Sequence, residues 1–244
     1  MALGAYNKGV RPFGAIHIFC VVLVVGSAAL LAWLCRRGAL PSRGLRCGLA
    51  GALAANEIVR YLHDGISFPD NLPIHLCTVS TWAAIVACLT LTPLAVEWVY
   101  FEGIAGAGMA LLTPDLPHKV QVQFWSYDAI RYFLEHGGIV IAAAILVFGR
   151  IAPLRPGALL RGNLMFIIGG LCLLLFNRIY GTNYLYLTHK PASHTLLDLM
   201  GPWPIYVFVG ELVAMTIFGL LWLAARPARD PRRQMGLETC ERSA

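Results

Sequence analysis

Cys77 and His136 are the residues of this chain whose types and placement point to covalent chemistry. Cys77 ends the stretch NLPIHLC at the start of a long apolar run, and His136 lies within a later run. A cysteine attacks an ester as its thiolate, so it needs a base or a positive neighbour. His75 is two positions from Cys77, or about 200° around a helix, so the two face differently unless the turn after Pro73 is irregular. The base is therefore expected from another helix, and His136 lies at comparable depth.

Ionisable side chains inside apolar runs are costly in a bilayer and mark functional sites by default. Here they concentrate in the outer halves of the runs, with Glu102, near the inner side, as the exception. They predict a polar cavity that opens toward the outer leaflet. The set comprises His17, Glu57, Arg60, His63, His75, Arg131, Glu135, His136, Arg178 and Glu211.

Several of these side chains also have a structural interpretation. Glu57 and Arg60 are spaced i,i+3, and Arg131 and Glu135 are spaced i,i+4, so both are predicted to form ion pairs on one helix face. Arg178 is close enough to a helix end to reach water. Cys77 itself has the alternative interpretation of a small apolar packing residue.

The elements that position these residues are predicted from composition. The chain is 58% hydrophobic and 13% charged, about half the charge expected of a soluble domain, and its mean hydropathy is +0.66. Runs close to the roughly 20 residues that cross a bilayer recur along it. We therefore predict an all-α, polytopic membrane protein with a seven-transmembrane-helix bundle. The predicted spans are 13–34, 46–64, 72–91, 95–112, 128–148, 161–180 and 203–224.

Basic residues predict the orientation of this bundle. Four of them, Lys8, Arg11, Lys119 and Lys190, lie in the loops assigned to the outside, and a larger set lies in the loops assigned to the inside. The bias predicts an N-terminus outside and a C-terminus in the cytoplasm. The inner set is Arg36, Arg37, Arg43, Arg46, Arg150, Arg155, Arg161, Arg226, Arg229, Arg232, Arg233 and Arg242.

The same observations define domains and exclude several classes of function. Residues 1–225 are expected to form one transmembrane helical domain, and residues 226–244 a disordered cytoplasmic tail. The net charge of +6 is spread over short loops, which argues against nucleic acid as a partner. The seven cysteines form no CxxC pair, so no disulfide framework, metal site or cofactor is expected.

Five motifs resemble the YwaF family of bacterial integral membrane proteins, whose eukaryotic relative is transmembrane protein 164. They occur in order from Leu72 to Tyr206 and cover about five of the seven predicted spans. The motifs are LPIHLC (72–77), LLTPDLP (111–117), RYFLEHG (131–137), GTNYLYLTHKP (181–191) and LLDLMGPWPIY (196–206).

The resemblance implies a function and a pair of residues. The eukaryotic relative is regarded as a phospholipid acyltransferase that uses a cysteine and a histidine. The cysteine of the HLC motif is Cys77, and the histidine of the HG motif is His136. The fold also resembles that of small multi-pass lipid hydrolases, which makes a membrane lipid esterase a close alternative.

The leading hypothesis is acyl transfer between membrane phospholipids through a thioester on Cys77, at the outer-leaflet side of a bacterial inner membrane. Because acyl-CoA is cytosolic, the expected donor is another lipid. Side chains expected to bind the substrate beside the catalytic pair are His75, Arg131, Glu135, Asn177, Arg178, Asn183 and Tyr184.

Three other classes remain open on the residues alone. Intramembrane charges are also typical of a transporter or channel. His17, His75 and His136 lie at similar depths and allow a haem or metal protein, although no CxxCH or HExxH spacing supports it. A non-catalytic scaffold would use the polar layer only to hold helices together.

Overall fold

A computed structural model describes residues 13–113, 125–191 and 196–225, and this part of the chain is helical, without a β-strand. Two short 3₁₀ helices, Tyr184–Tyr186 and Leu196–Met200, lie in the connection before the last long helix. The long helices are α1 (Ala15–Arg36), α2 (Ser42–Asp64), α3 (Leu76–Thr90), α4 (Pro93–Leu112), α5 (Tyr127–Phe148), α6 (Ala158–Tyr180) and α7 (Ile205–Ala224).

The all-helical, multi-pass character predicted from the sequence is confirmed. Among the described residues, α1, α4, α5, α6 and α7 are long and apolar enough to cross a membrane. The other two predicted spans correspond to α2, which carries more polar residues, and to α3, which is apolar but has only 15 residues. The count of seven spans and the orientation of the termini stay predictions. The predicted tail, residues 226–244, lies outside the described part of the chain.

The start of α3 differs from the prediction by four residues. The helix begins at Leu76 rather than at residue 72, and His75 has an extended backbone with ψ of 146°. Leu72 precedes a proline and is therefore disfavoured from helical geometry. Its N–H instead donates to the Tyr184 hydroxyl at 2.8 Å. Cys77 is thus the second residue of α3, a turn closer to the helix end than expected.

Helix α5 is the centre of the bundle and packs against α1, α2, α3 and α4. In the span formed by α5, 61% of residues are buried, compared with 6% in α6 and in α7. Two adjacent glycines allow this close packing. A Cβ on Gly137 would lie 2.8 Å from Val24 of α1, and one on Gly138 would lie 2.6 Å from Leu53 of α2. Helices α6 and α7 therefore form the periphery, exposed to lipid.

The ends of the helices opposite to Cys77 are joined by an ion-pair network around a buried carboxylate. Glu97 of α4, 1% exposed, pairs with Arg155 at 3.0 Å and with Arg161 of α6 at 2.7 Å. Both guanidinium groups donate two hydrogen bonds to the carboxylate, a geometry that strengthens the contact. On the neighbouring helices, Arg46 of α2 donates to the Cys88 carbonyl of α3. The network fixes α4 to α6 and α2 to α3 at this end.

Candidate functional site

Cys77 is presented by the first turn of α3, and its thiol is partly buried. The first intrahelical bond of α3 runs from the Val79 N–H to the His75 carbonyl. Within the described part of the chain, the N–H groups of Leu76, Cys77 and Thr78 make no hydrogen bond, as expected for the first residues of a helix. Cys77 therefore lies beside unpaired backbone donors.

His136 lies in the buried part of α5, where only 6% of the residue is exposed. Its Nδ1 is 2.8 Å from the Tyr132 carbonyl oxygen. Since a carbonyl only accepts, Nδ1 carries the hydrogen, and the neutral ring presents Nε2 as a proton acceptor. The Tyr132 ring lies 4.2 Å from the imidazole ring, centroid to centroid, which fixes the orientation of that ring further.

Contacts along α4 show that Cys77 and His136 lie at the same depth. Helix α4 runs antiparallel to α3 and α5, and a Cβ on Gly106 would lie 3.0 Å from Leu76 of α3. On the other side of α4, Gly103 faces Ile139 of α5, and Ala110 accepts a hydrogen bond from Tyr132.

By this register Gly106 is opposite His136 as well as Leu76. The depths of Cys77 and His136 therefore differ by roughly 2 Å at 1.5 Å per residue. Helices α3 and α5 pack against each other. No hydrogen bond joins Cys77 to His136 in the described structure.

Two ion pairs lie next to these residues, and both were predicted from spacing. Arg131 pairs with Glu135 at 2.9 Å, and Arg60 pairs with Glu57 at 2.9 Å. Glu57 is fully buried and Glu135 is 4% exposed. The charges of Glu135 and Arg131 act on the Cys77 thiol, and those of Glu57 and Arg60 act on Glu135. We call this set the polar cluster: Glu57, Arg60, Cys77, Arg131, Glu135 and His136.

His75 lies at the edge of the polar cluster rather than inside it. Its side chain is exposed, and its ring is 4.8 Å from the Tyr184 ring, centroid to centroid. The charge of Arg60 acts on it. His75 therefore connects the polar cluster with the loop that follows α6.

Asn177 and Tyr184 hold that loop against the segment that precedes α3. The Asn177 side chain donates to the Tyr184 carbonyl at 2.9 Å and accepts from its N–H at 2.9 Å. The Tyr184 hydroxyl donates to the Pro69 carbonyl and accepts from the Leu72 N–H, both at 2.8 Å. The described structure thus uses these polar groups for positioning, and their contact with substrate stays a prediction.

The contacts of Asn183 and Arg178 lie within the connection between α6 and α7. The Asn183 amide donates to the His189 carbonyl at 2.8 Å, and its oxygen accepts from the backbone and hydroxyl of Thr188. Arg178 is exposed, with its guanidinium carbon 4.9 Å from the centre of the Trp203 ring. Both residues stabilise the connection between α6 and α7, and their role in binding a head group stays a prediction.

His17 has a structural role in tying α1 to α4. Its Nδ1 accepts from the Phe13 N–H at 2.9 Å, so its Nε2 carries the hydrogen and donates to the Leu111 carbonyl at 2.6 Å. Among the residues that the structure describes, no three histidine, cysteine or acidic side chains form a group that could hold a metal ion.

The unpaired backbone donors of α3 were not predicted, because the helix begins four residues later than its apolar run indicates. A signal was present in Pro73, because the residue before a proline is disfavoured from helical geometry, which allows an extended segment that ends at His75. The donors make the first turn of α3 a candidate site for a developing negative charge.

Comparison with known proteins identifies the family. A family model described as the TMEM164 family matches residues 12–222, which include the whole polar cluster. An uncharacterized protein of Treponema pallidum (strain Nichols) is 29% identical over 236 residues, covering 91% of this chain and 93% of the relative. No solved structure matches the chain. The relation to transmembrane protein 164 that the five motifs predicted is thereby confirmed, and the chain belongs to the TMEM164 family.

Proposed function

We propose that this protein is an integral membrane lipid acyltransferase in which Cys77 is the nucleophile and His136 the base. The observation that carries the proposal is the hydrogen bond from His136 Nδ1 to the Tyr132 carbonyl. It leaves Nε2 as a proton acceptor at the depth of Cys77, on a helix that packs against α3. A nucleophile and a fixed base on adjacent rigid elements are the minimum that covalent catalysis requires.

The first half-reaction transfers the acyl chain to the enzyme. Nε2 removes the thiol proton as Sγ attacks the carbonyl carbon of a phospholipid ester, and a C–S bond forms. The tetrahedral intermediate collapses with cleavage of the C–O bond, and the imidazolium returns the proton to the leaving oxygen. The products are a lysolipid and a thioester on Cys77.

The second half-reaction releases the chain to an acceptor hydroxyl. Nε2 takes the hydroxyl proton, the oxygen attacks the thioester carbonyl, the C–S bond breaks, and the imidazolium reprotonates Sγ. With a lysolipid hydroxyl as acceptor the reaction is transacylation, and with water it is ester hydrolysis. Since no hydrogen bond joins the pair in the described structure, a rotation of the thiol or a small helix shift precedes catalysis, as is common before substrate binds.

The first turn of α3 supports the negative charge of both tetrahedral intermediates. The unpaired N–H groups of Leu76, Cys77 and Thr78 surround the base of the nucleophile. Backbone donors fixed in this way stabilise an oxyanion without reorganisation. The Arg131–Glu135 ion pair, on the same helix as His136, stiffens the segment that carries the base.

The membrane arrangement belongs to the same proposal. We infer seven spans with the N-terminus outside and the C-terminus in the cytoplasm of a bacterial inner membrane, because basic residues concentrate in alternate loops. Cys77 then lies near the outer leaflet, so that membrane phospholipids supply the acyl chain.

The test uses purified protein in detergent with a phospholipid that carries a labelled acyl chain. Intact mass is expected to show an acyl adduct that hydroxylamine removes, present in the wild type and absent in Cys77→Ala. Cys47→Ala, which removes an exposed cysteine of α2, is the matched control and should retain the adduct. Absence of both adduct and lipid turnover in the wild type, across several head groups, would contradict the proposal and favour a transporter or scaffold.

A further inference from the structure

An apolar cavity of about 520 Å³ lies between α3, α4, α6 and α7. Leu76 and Val79 of α3, Phe166 and Phe176 of α6 and Val207 of α7 are among its walls. Of the described residues that line it, none belongs to the polar cluster. Its volume and predominantly hydrophobic walls are typical of ligand sites.

Glycines on two of the helices keep this space open. A Cβ on Gly170 of α6 or on Gly210 of α7 would meet no atom within 4 Å, although both residues line the cavity. Glycine is less favourable than alanine inside a helix, so its presence calls for a reason. At Gly137 that reason is close helix packing. At Gly170 and Gly210 no such packing exists, and the absence of a side chain leaves the adjoining part of the cavity unfilled.

The cavity has the length of one leaflet. Phe166 and Phe176, at its two ends along α6, are ten residues apart, which corresponds to roughly 15 Å at 1.5 Å per residue. The hydrocarbon core of a bilayer is about 30 Å thick. Since only 6% of α6 and of α7 is buried, the cavity lies in the part of the molecule that faces lipid directly.

One polar atom inside the cavity is unsatisfied. Glu211 of α7 lines it, and its Oε1 is buried without a hydrogen-bond partner among the described residues. A buried polar atom of this kind requires a partner, and a hydrogen-bonding group on a bound molecule can supply one.

The depth of Glu211 matches that of Cys77. The Phe218 ring of α7 packs against the Phe101 ring at 5.5 Å, so the two residues lie at similar depth. Glu211 is seven residues outward from Phe218, or roughly 10 Å, and Gly106, opposite Leu76, is five residues outward from Phe101, or roughly 8 Å. The carboxyl group therefore lies within about one helical turn of the layer in which the nucleophile lies.

We propose that this cavity binds one acyl chain of a membrane glycerolipid, with the Glu211 carboxyl in hydrogen-bonding reach of the polar end of that chain. The inference deepens the proposed function by naming where substrate is held. It rests on that function only for the view that the bound lipid reacts, because the cavity can hold a lipid whether or not Cys77 is acylated.

The test measures lipid binding directly. The protein is reconstituted in vesicles of phosphatidylethanolamine and phosphatidylglycerol with a trace of phospholipid that bears a diazirine near the end of one acyl chain. After irradiation, peptide mass spectrometry should locate cross-links on the cavity-facing segments of α6 and α7. Gly210→Leu and Gly170→Leu fill the space and should each lower this yield roughly tenfold. Gly219→Leu, also on α7 and with nothing within 4 Å of its Cβ, lies outside the cavity and should leave the yield unchanged.

The inference would be overturned if Gly170→Leu and Gly210→Leu both remain monodisperse proteins and show unchanged cross-linking. It would also be overturned if detergent or a second copy of the chain occupies the cavity. Repeating the experiment in Cys77→Ala separates the two proposals. If cross-linking depends on the cavity but the wild type forms no acyl adduct, the lipid-binding site is supported and the acyl-transfer function is contradicted. If the acyl adduct on Cys77 forms equally well in Gly170→Leu and Gly210→Leu, acyl transfer is supported and the cavity is not the site that holds the substrate.

Discussion

Helix α3 lies between two regions that differ in packing and polarity. On one side lies the polar cluster, where α2 and α5 each carry an ion pair with a buried carboxylate and where two glycines bring α5 into contact with α1 and α2. On the other side lies the apolar cavity, where α6 and α7 leave space around their glycines and one carboxyl oxygen lacks a partner. Both regions reach the first turn of α3, which carries Cys77.

For the proposed lipid acyltransferase, this difference corresponds to two separate requirements. Chemistry requires side chains fixed to within a fraction of an ångström, which dense packing and paired charges supply. An acyl chain is flexible and apolar, and its binding requires volume more than direction. The bundle meets the first requirement at its centre and the second at its lipid-facing edge.

The largest expected effect is on the rate of acyl-adduct formation when the proposed base, His136 of the polar cluster, is removed. His136→Gln should slow formation of the acyl adduct on Cys77 by roughly 100-fold or more, the usual contribution of a positioned base. The measurement is the rate of adduct formation by intact mass. His17→Gln removes another buried histidine, whose two ring nitrogens are engaged by Phe13 and Leu111, and should leave that rate within about threefold in the folded fraction. An unchanged rate in His136→Gln would assign the base elsewhere.

The next effect concerns the charges of the polar cluster. Arg60→Ala leaves the carboxylate of Glu57, which is fully buried, without its partner and should lower the free energy of unfolding by about 3 kcal/mol. Denaturant titration in mixed micelles measures the loss. The double variant Glu57→Gln, Arg60→Met removes both charges and should recover most of the stability. Equal losses in the two variants would show that packing, rather than charge pairing, holds this region together.

A smaller difference in stability is expected between substitutions at Gly137, which contacts another helix, and at Gly170, which lines the cavity. Gly137→Leu forces Val24 to move, because the new Cβ would lie 2.8 Å from its side chain, and should cost about 1–3 kcal/mol. Gly170→Leu places its side chain in the cavity and should change stability by no more than about 0.5 kcal/mol. Thermal unfolding in detergent tests both. Similar losses in the two variants would mean that the cavity is not open space.

The smallest effect is expected in the loop that supports α3. Tyr184→Phe removes the hydroxyl bonds to Pro69 and Leu72 and should cost about 1 kcal/mol. Hydrogen exchange of residues 66–76 should become faster. Tyr180→Phe is the control, because the Tyr180 hydroxyl makes no hydrogen bond within the described residues, and it should leave exchange in this segment unchanged. Protection that persists in Tyr184→Phe would show that other contacts hold the segment.

The helical class and the approximate positions of the helices followed from the sequence because they depend on local properties. Apolar runs of sufficient length indicate spans wherever they occur. The ion pairs of Glu57 with Arg60 and of Arg131 with Glu135 were predictable for the same reason, since both partners lie on one helix face.

The features that the sequence did not reveal depend on contacts between distant parts of the chain. The beginning of α3 is fixed by Tyr184, which is more than 100 residues away from Leu72. Gly137 and Gly170 are alike in the sequence, although one lies against Val24 and the other faces open space. The side chain of Glu211 was predicted to line a polar cavity, yet it faces an apolar one. Only the packing of helices distinguishes such cases.

The ion pairs of Glu97 with Arg155 and Arg161 have a consequence for how the protein is made. In the proposed orientation, the two arginines first act during insertion, when unpaired positive charges keep the preceding loop in the cytoplasm. Once α6 meets α4, the same guanidinium groups close on the buried carboxylate. A chain inserted with α6 inverted would leave Glu97 without these partners in the membrane, at a cost that disfavours closure of the bundle. In the proposed orientation, both ion pairs of Glu97 thus form only when α6 is correctly inserted.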